Sequence, residues 1–375
     1  LRPGSPVMII DPKSCEQSFP LHADGAPLFV SIAQPNVFAL VCSFAGRSER
    51  WACASSAFKE VYVVARALLP ATPILYAIGG DVGRRLMTIE RYDWQAKRWT
   101  VMLPLQKPRC SFSVCSLGGQ IYVIAGCYVP EVRDQIYDAQ LLPLVQRFEP
   151  RAKVWQEPAP LSVARANAAA VVQKRRLVVL GGRCGTRNER TNTVECYSSA
   201  RNEWLLLESI SDNLEYSAFI DAAVGLRGAV FVLSSIGHGT ARSTSMGRYD
   251  ALNDVWRPVA DSRMPSSGLR SMWTAVASER KVYVIGGWVD DCEFSTMLEA
   301  YDPDSNTWES VGTLSEARSG TAAASVDRSI YTLGGYTSDG KASKIVERYD
   351  PENGGCHRLP PMCVPRGHFC AVVVG

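Results

Sequence analysis

The sequence predicts an all-β protein built from tandem repeats, and three recurrent patterns in its 375 residues carry this prediction. The first pattern is a short apolar run that ends in two small residues, as in VYVIGG at 282–287. A strand that is apolar on both faces is usually buried on both faces. The paired glycines let the backbone turn with positive φ or pass close to a neighbouring segment.

The apolar run recurs along the chain with a period of about 50 residues, which is typical of a repeat architecture. Its six copies lie at 74–80, 121–126, 177–182, 230–235, 282–287 and 330–335. The fourth copy departs from the pattern, because Ser234 and Ser235 replace both glycines. We name the run strand b of each repeat.

The second pattern is an aromatic residue followed seven residues later by tryptophan. Five repeats share it, as Tyr92 and Trp99, Phe148 and Trp155, Tyr197 and Trp204, Tyr249 and Trp256, and Tyr301 and Trp308. In the sixth repeat Cys356 takes the place of the tryptophan after Tyr349. A polar turn lies between the two positions, so the pattern predicts a hairpin of two further strands, c and d.

The third pattern is an arginine sixteen residues before the first small residue, seen at Arg109, Arg165, Arg270 and Arg318. A further apolar strand, a, follows each of these arginines. The three patterns together resemble the kelch motif over residues 74–375. This resemblance implies a β-propeller of four-stranded antiparallel blades, and the six copies predict a six-bladed kelch β-propeller.

The two ends of the repeat region predict how the ring closes. The first repeat begins at strand b, whereas the chain ends in an apolar segment, 366–374, that reads as a strand a after Arg366. We therefore expect the C-terminal strand to complete the first blade, which would hide two sheet edges. Residues 1–73 lie outside the repeat and are either partly disordered or a remnant of a helical domain. Residues 57–69 carry a helical pattern that resembles the end of the helical domain in BTB-kelch proteins.

Composition narrows the possible functions. The chain has 40 Lys and Arg against 37 Asp and Glu, a net charge of +3, which argues against a nucleic-acid partner. The apolar stretch at 38–45 is too short to span a bilayer, so no membrane partner is expected. The 12 cysteines form no CxxC pair, so we expect no metal site and a reducing, cytoplasmic location.

We expect no enzyme and no cofactor. The 4 histidines are dispersed among different segments, and no known catalytic motif occurs in the sequence. Copper-radical oxidases also use a kelch-type propeller, but they need clustered Tyr, His and Cys ligands. The acidic residues lie mainly in the c–d turns, where hydrogen bonding within the turn explains them.

A binding face is predicted by the alternation of strand direction, which brings the long b–c connections and the recurrent arginines to one side. The predicted partner-binding residues are Arg109, Arg165, Arg270, Arg318, Arg366, Arg183, Trp288 and Tyr336. Guanidinium groups bind carboxylates in a bidentate way, and exposed aromatic residues are typical interface anchors. A structural role stays open, in which the arginines bind loop carbonyls or acidic residues of the propeller itself.

The resemblance to BTB-kelch proteins implies that the propeller binds a protein or peptide substrate. Peptides with an acidic motif are among the ligands that this resemblance implies. It implies a substrate-recognition role in a cullin-RING E3 ubiquitin ligase adaptor. A cullin partner would require a BTB domain outside this chain. The alternative is an actin-binding or cytoskeletal scaffold protein, and fold alone does not separate the two.

Overall fold

The computed structural model describes residues 16–20, 27–32, 40–42, 72–82, 85–128, 140–185, 189–207, 209, 219–236, 243–250, 255–259, 264, 270–289 and 293–375. The chain divides into two compact units, Leu1–Pro70 and Ala71–Gly375. Throughout these described ranges the regular secondary structure consists of strands, and none is helical. The helix expected at 57–69 lies outside the described residues.

The N-terminal unit contains a small antiparallel sheet that the sequence did not predict. Its strands are β1 (Glu16–Pro20), β2 (Pro27–Ile32) and β3 (Leu40–Cys42). They pair in the order β1-β2-β3.

The second unit contains six four-stranded antiparallel sheets among its described residues. The first sheet consists of β35 (Cys370–Val374), β4 (Ile74–Ile78), β5 (Ile89–Asp93) and β6 (Arg98–Val101). The second consists of β7 (Ser113–Leu117), β8 (Gln120–Ile124), β11 (Val145–Glu149) and β12 (Val154–Gln156). The third consists of β14 (Ala169–Gln173), β15 (Arg176–Leu180), β18 (Val194–Ser198) and β19 (Glu203–Leu207).

The remaining three sheets repeat this order of strands a, b, c and d. The fourth consists of β20 (Phe219–Leu226), β21 (Ala229–Ile236), β22 (Ser243–Asp250) and β23 (Val255–Pro258). The fifth consists of β25 (Thr274–Ser278), β26 (Lys281–Ile285), β29 (Met297–Asp302) and β30 (Thr307–Thr313). The sixth consists of β31 (Ala322–Val326), β32 (Ser329–Leu333), β33 (Val346–Asp350) and β34 (Gly355–Leu359).

Short strands extend the connections at one end of three sheets. They are β9 (Cys127–Tyr128), β10 (Gln140–Leu141), β13 (Arg165–Ala166), β16 (Arg183–Cys184), β17 (Glu189–Arg190), β24 (Arg270–Ser271), β27 (Trp288–Val289) and β28 (Glu293–Phe294). They pair as β10-β9, β13-β16-β17 and β24-β27-β28.

The sheets form a closed ring, as expected for a propeller. Each strand a contacts strand a of the next sheet, in the circuit β7, β14, β20, β25, β31, β35 and back to β7. Six apolar clusters fill the spaces between neighbouring sheets. Strand b of each sheet is buried on both faces because it contributes side chains to two of these clusters.

The predicted closure of the ring is confirmed. β35 pairs with β4 in antiparallel register, from Cys370 opposite Ile78 to Val374 opposite Ile74. The C-terminal strand therefore supplies the missing strand a of the first sheet. Tyr331 and Leu333 of the sixth sheet pack with Leu75 of the first in one apolar cluster, so the junction is part of the core.

The aromatic pairs face each other across the c–d hairpins. Tyr92 lies opposite Trp99, with ring centroids 5.3 Å apart, and Tyr249 stacks on Trp256 at 4.6 Å. In the sixth sheet Cys356 lies opposite Tyr349. The hairpin forms there as well, so the tryptophan adds packing to a hairpin whose register the strands already determine.

The double glycines turn the chain and allow neighbouring sheets to approach. Gly286 and Gly287 have φ values of 62° and 103°, and a Cβ atom on Gly286 would lie 2.5 Å from the carbonyl oxygen of Arg318 in the next sheet. In the fourth repeat serines replace the glycines, and β21 continues through them to Ile236. The paired glycines therefore end strand b in the repeats that have them.

Candidate partner-binding face

Five equivalent backbone bridges mark the end of the ring that carries the b–c connections. In each, the residue after the recurrent arginine pairs with the residue after the two small ones. The pairs are Gly367–Asp81, Cys110–Cys127, Ala166–Arg183, Ser271–Trp288 and Ser319–Tyr336. We call this end of the ring the connection face. It brings three predicted binding residues, Arg183, Trp288 and Tyr336, to the same position in three different sheets.

A second set of residues on this face was missed by the sequence analysis. Ser111, Asn167, Met272, Gly320 and His368 stand two positions after the recurrent arginine, and all have φ between 49° and 58°. Backbone hydrogen bonds join them between sheets, from Asn167 N to Ser111 O at 2.8 Å and from His368 N to Gly320 O at 3.0 Å. The side chains of Asn167, Met272 and His368 are exposed. Their fixed spacing from the arginine was the available signal.

Four of the predicted binding arginines do not reach the surface, which corrects the expectation from the sequence. Arg109, Arg165, Arg318 and Arg366 have at most 1% of their surface exposed. In each, Nη1 donates to the carbonyls that end strand b and precede strand c. For Arg165 these are Gly181 O at 3.0 Å and Thr193 O at 3.2 Å.

The second terminal nitrogen of the guanidinium group, Nη2, donates to a polar side chain that strand c holds in the core. Arg165 and Arg366 form ion pairs of 2.5 Å with Glu195 and Glu90, and Arg318 pairs with Glu347. Burial lowers the pKa of Arg165, Arg318 and Arg366, while the facing carboxylates oppose this effect. The Nη1 and Nη2 donors that were expected to bind a partner are therefore used inside the protein.

The buried carboxylates also hold the connection that enters each sheet. Glu195 Oε2 accepts hydrogen bonds from Ser162 N at 2.8 Å and Ser162 Oγ at 2.6 Å. Glu90 Oε2 accepts from Cys363 N at 2.7 Å in the first sheet. The main chain of the arginine meanwhile joins the preceding sheet, since Gly335 N donates to Arg366 O at 2.9 Å. Equivalent main-chain bonds are made by Arg165 and Arg318, so these three arginines act as structural joints between neighbouring sheets.

The second sheet departs from this arrangement. Its Arg109 binds Ala125 O and Leu144 O, both at 3.1 Å, but its Nη2 donates to the neutral amide oxygen of Gln146. Burial lowers the pKa of Arg109 to about 10, and Glu157 opposes this effect. The arginine is buried in this sheet without a carboxylate as its direct partner.

Arg270 lies in β24, and its backbone pairs with Val289. Its side chain lies outside the described residues, so its predicted role in binding stays a prediction.

Arg183 belongs to a small basic hairpin on the connection face. It lies half-buried in β16, directly opposite exposed Arg190 of β17. Desolvation lowers the pKa of Arg190, and the positive charge of Arg183 adds to this effect, while Asp221 opposes it. These two like charges on opposed residues concentrate positive potential at this position of the connection face.

Trp288 and Tyr336 are half-buried, each against another aromatic ring. Trp288 stacks on Phe294 with centroids 5.9 Å apart and an interplanar angle of 6°. The Tyr336 ring lies 5.1 Å from that of His368, which also faces Asp81 with 3.6 Å between Nδ1 and Oδ2. These contacts limit the rotation of the aromatic side chains in the free protein. Binding a partner would therefore cost less side-chain entropy.

No group of three or more His, Cys, Asp or Glu side chains suitable for a metal ion occurs among the residues that the structure describes. A search of the same residues for a helix long and apolar enough to cross a membrane finds none. The predicted absence of a catalytic centre and of a cofactor remains a prediction.

Comparison with known proteins identifies the repeats. The Kelch motif family model matches residues 108–162, 164–209, 269–315 and 317–362, just over half of the chain. The solved structure titled "Structure of YjhT" aligns with a TM-score of 0.62 and 15% identity, covering 78% of this chain and 99% of that one. At this identity the alignment supports the propeller fold alone.

Similar curated proteins include several kelch-like proteins. Kelch-like protein 23 of Pongo abelii is 30% identical over 252 residues, or 65% of this chain and 41% of the relative. Kelch-like protein 36 of Bos taurus is 30% identical over 266 residues, or 68% of this chain and 40% of the relative. The matched region thus spans about two fifths of the relatives' length. With the family model matching more than half of its length, the chain belongs to the Kelch motif family.

Proposed function

We propose that this propeller is the substrate-recognition domain of a cullin-RING ubiquitin ligase adaptor and that it binds its protein substrate on the connection face. The observation that carries the binding site is the equivalent placement of Arg183, Trp288 and Tyr336 around one face. Arginine, tryptophan and tyrosine are the residues most enriched among interface anchors. The adaptor role is supported by the match to kelch-like proteins, whose additional length would contain the BTB domain that binds the cullin.

Three exposed residues that stand two positions after the recurrent arginines add to this surface. Asn167, Met272 and His368 add a hydrogen-bonding group, a flexible apolar side chain and an imidazole. Because their backbone is bonded from sheet to sheet, they form a rigid platform on which the surrounding loops are mounted. Such a surface suits a folded loop or a short peptide more than a small molecule.

The basic hairpin favours an acidic segment in the partner. Arg183 and Arg190 place two positive charges on opposed residues of this hairpin, and that local charge would attract a carboxylate of the partner. We therefore propose that the substrate carries an acidic motif and that binding weakens as salt concentration rises. The free cysteines among the described residues suit a cytoplasmic site of action, which is part of the same proposal.

The test uses the complete gene product, including any BTB domain encoded with this chain. It is affinity-purified from cells as the wild type, as the variant Arg183→Ala/Trp288→Ala/Tyr336→Ala, and as the control Arg175→Ala in an exposed a–b turn. Thermal unfolding first establishes that all three are folded. We expect the triple variant to lose a partner that the control retains and to keep the cullin.

Two results would contradict the proposal. If the triple variant retained every partner, the connection face would not be the binding site. If the complete gene product failed to capture a cullin, the adaptor role would be wrong. This would hold even if the triple variant no longer bound a substrate that the wild type binds.

A cytoskeletal scaffold is the second candidate, and the outer strands favour it. Val101, Val154 and Leu206 are 54%, 48% and 62% exposed on strands d of the first three sheets. An elongated partner such as an actin filament could use these outer edges. Cosedimentation with filaments that is lost in Val154→Asp/Leu206→Asp and kept in the triple variant would support this role and not the first.

A further inference from the structure

Two cysteines form the bridge of the second sheet at the connection face. Cys110 N donates to Cys127 O at 3.0 Å, and Cys127 N donates to Cys110 O at 2.9 Å. Their sulfur atoms lie 3.3 Å apart. The other four bridge pairs contain no cysteine, so this arrangement occurs once among the described bridges.

The backbone geometry is compatible with a disulfide. An antiparallel pair that exchanges both hydrogen bonds has Cα atoms about 5.5 Å apart, within the range that a disulfide spans. The two sulfur atoms need to approach each other by only roughly 1 Å to reach bonding distance. The bond could therefore form by side-chain rotation, without separating the strands.

The surroundings favour reaction at Cys110. Cys110 is partly exposed, whereas 7% of Cys127 is accessible. The hydrogen bond with Cys127 lowers the pKa of Cys110 to about 6, against the effect of burial, and the charge of Arg85 contributes. The same interaction raises the pKa of Cys127. Cys110, which is more accessible than Cys127 and has the lowered pKa, is therefore the expected site of attack by an oxidant.

We propose that Cys110 and Cys127 are an oxidative modification site, a dithiol that hydrogen peroxide converts to a disulfide on the connection face. The Cys110 thiolate attacks one peroxide oxygen, the O–O bond breaks, and the departing hydroxide takes a proton to become water. The Cys127 sulfur then displaces the oxygen of the resulting sulfenic acid, which leaves with the Cys127 proton as a second water. Two thiols are oxidised, and one peroxide is reduced to two waters.

The disulfide would change the second b–c connection. β9 begins at Cys127 and pairs with β10, so the new bond ties the base of this connection to the residue before Ser111. Cys127 occupies in the second sheet the bridge position that Arg183, Trp288 and Tyr336 occupy in their own sheets. The site and its chemistry extend beyond the proposed substrate recognition and do not depend on it.

The first experiment maps the bond in the full chain after exposure to hydrogen peroxide. Trypsin leaves Cys110, Cys115 and Cys127 in one peptide, 110–133, so chymotrypsin is added to cleave after Phe112, Leu117 and Tyr122. Free thiols are alkylated before digestion. We expect a linked pair of peptides that contains Cys110 and Cys127 and is lighter than its reduced parts by two hydrogen atoms, and that dithiothreitol separates.

The chain provides matched controls. Burial raises the pKa of Cys115 and of Cys370 to about 12, so both should remain reduced. Cys110→Ser should abolish the linked peptides, and Cys127→Ser should leave a sulfenic acid at Cys110 that dimedone traps. Cys363→Ser, at an exposed cysteine, should leave the disulfide unchanged. Oxidation of Cys363 while Cys110 and Cys127 remain unlinked would overturn the proposal, as would linked peptides in Cys110→Ser.

The pH dependence of alkylation tests which thiol is the nucleophile. With iodoacetamide, Cys110 should react at half its maximal rate near pH 6, because the thiolate is lost as pH falls below its pKa. Cys127→Ala removes the hydrogen bond and should move this midpoint upward. Partial desolvation of the Cys363 sulfur and the nearby carboxylate of Glu90 raise the pKa of Cys363, so its reaction should still accelerate above pH 8, by roughly tenfold per pH unit below its pKa. A midpoint for Cys110 as high as that of Cys363 would contradict the assignment.

Discussion

The second and sixth sheets hold the same buried arginine against different partners. Arg318 in the sixth sheet binds two main-chain carbonyls and the carboxylate of Glu347. Arg109 in the second sheet binds two equivalent carbonyls, but Gln146 replaces the carboxylate. Both sheets have the same strand order. The two carbonyl bonds therefore suffice to fix the position of the arginine, and the ion pair affects the energy of burying its charge.

Replacing the arginine with alanine should give the largest difference in stability between the two sheets. Arg318→Ala leaves Glu347 buried without its cation, and loss of one partner of a buried ion pair costs about 3–5 kcal/mol. Arg109→Ala leaves a neutral amide, for which about 1–3 kcal/mol is expected. Chemical denaturation measures both, with Arg151→Ala in an exposed turn as the control. Equal losses would show that the carboxylate has no part in the difference.

The c–d hairpins of the first and sixth sheets provide a second contrast. Trp99 is 5% exposed, packs on Tyr92 and donates a hydrogen bond from Nε1 to Pro360 O at 3.1 Å. The sixth sheet has Cys356 at this position. Trp99→Ala should lower stability by about 3 kcal/mol because it removes a buried large aromatic side chain. Trp308→Ala, at a half-buried tryptophan, should cost less in the same denaturation series.

The charge of Arg109 can be compensated by one substitution. Gln146→Glu would place a carboxylate beside a guanidinium whose pKa is already lowered to about 10 by burial. The gain is partly offset because the Gln146 amide, which donates to Glu157 Oε1 at 3.4 Å, is lost. We expect a net stabilisation of about 1 kcal/mol, equivalent to less than one pKa unit. The new carboxylate would have its pKa lowered in the folded state. Its contribution is therefore present at neutral pH and is lost as pH falls through that lowered value. A higher unfolding midpoint at pH 7 than for wild type, with the gain reduced at pH 3, is the expected result. A destabilised variant at pH 7 would show that desolvation of the carboxylate exceeds the attraction.

The smallest effect concerns the a–b turns. The second sheet turns at Gly118 and Gly119, whereas the sixth turns at Asp327 and Arg328, and all four have positive φ. A Cβ atom at Gly119 would meet no atom within 4 Å. Gly119→Ala should therefore cost only the backbone strain, about 1 kcal/mol. Gly126→Ala is the crowded comparison, because its Cβ would lie 2.7 Å from Cys110 O, and it should cost more.

The periodic features were predictable because a strand buried on both faces and a facing aromatic pair both leave a regular sequence pattern. The buried b strands and the closure by the C-terminal strand were predicted on this basis and are confirmed. The c–d turns also agree, since Asp93 Oδ1 accepts hydrogen bonds from Gln95 N and Ala96 N at 3.0 Å.

The role of the arginines was harder to predict, because a charged residue in a connecting segment resembles a surface residue. A signal was nevertheless present, since a polar side chain stands two residues before the aromatic residue of strand c. The set comprises Glu90, Gln146, Glu195, Glu299 and Glu347, and all are at most 1% exposed. A recurrent acid within an apolar strand indicates a buried cationic partner. The cysteine pair left no such signal, because its two members become neighbours only through the bridge.

The pairing of β35 with β4 also has a consequence for biosynthesis. While the ribosome translates the repeats, β4 has no strand a, and its inner edge stays open until residue 374 has emerged. The earlier sheets can associate with their neighbours during this time, but the ring is completed only after β35 has been translated. A nascent chain stalled before β35 would therefore be an open arc that exposes backbone donors, which is the kind of surface that chaperones bind and that quality control removes.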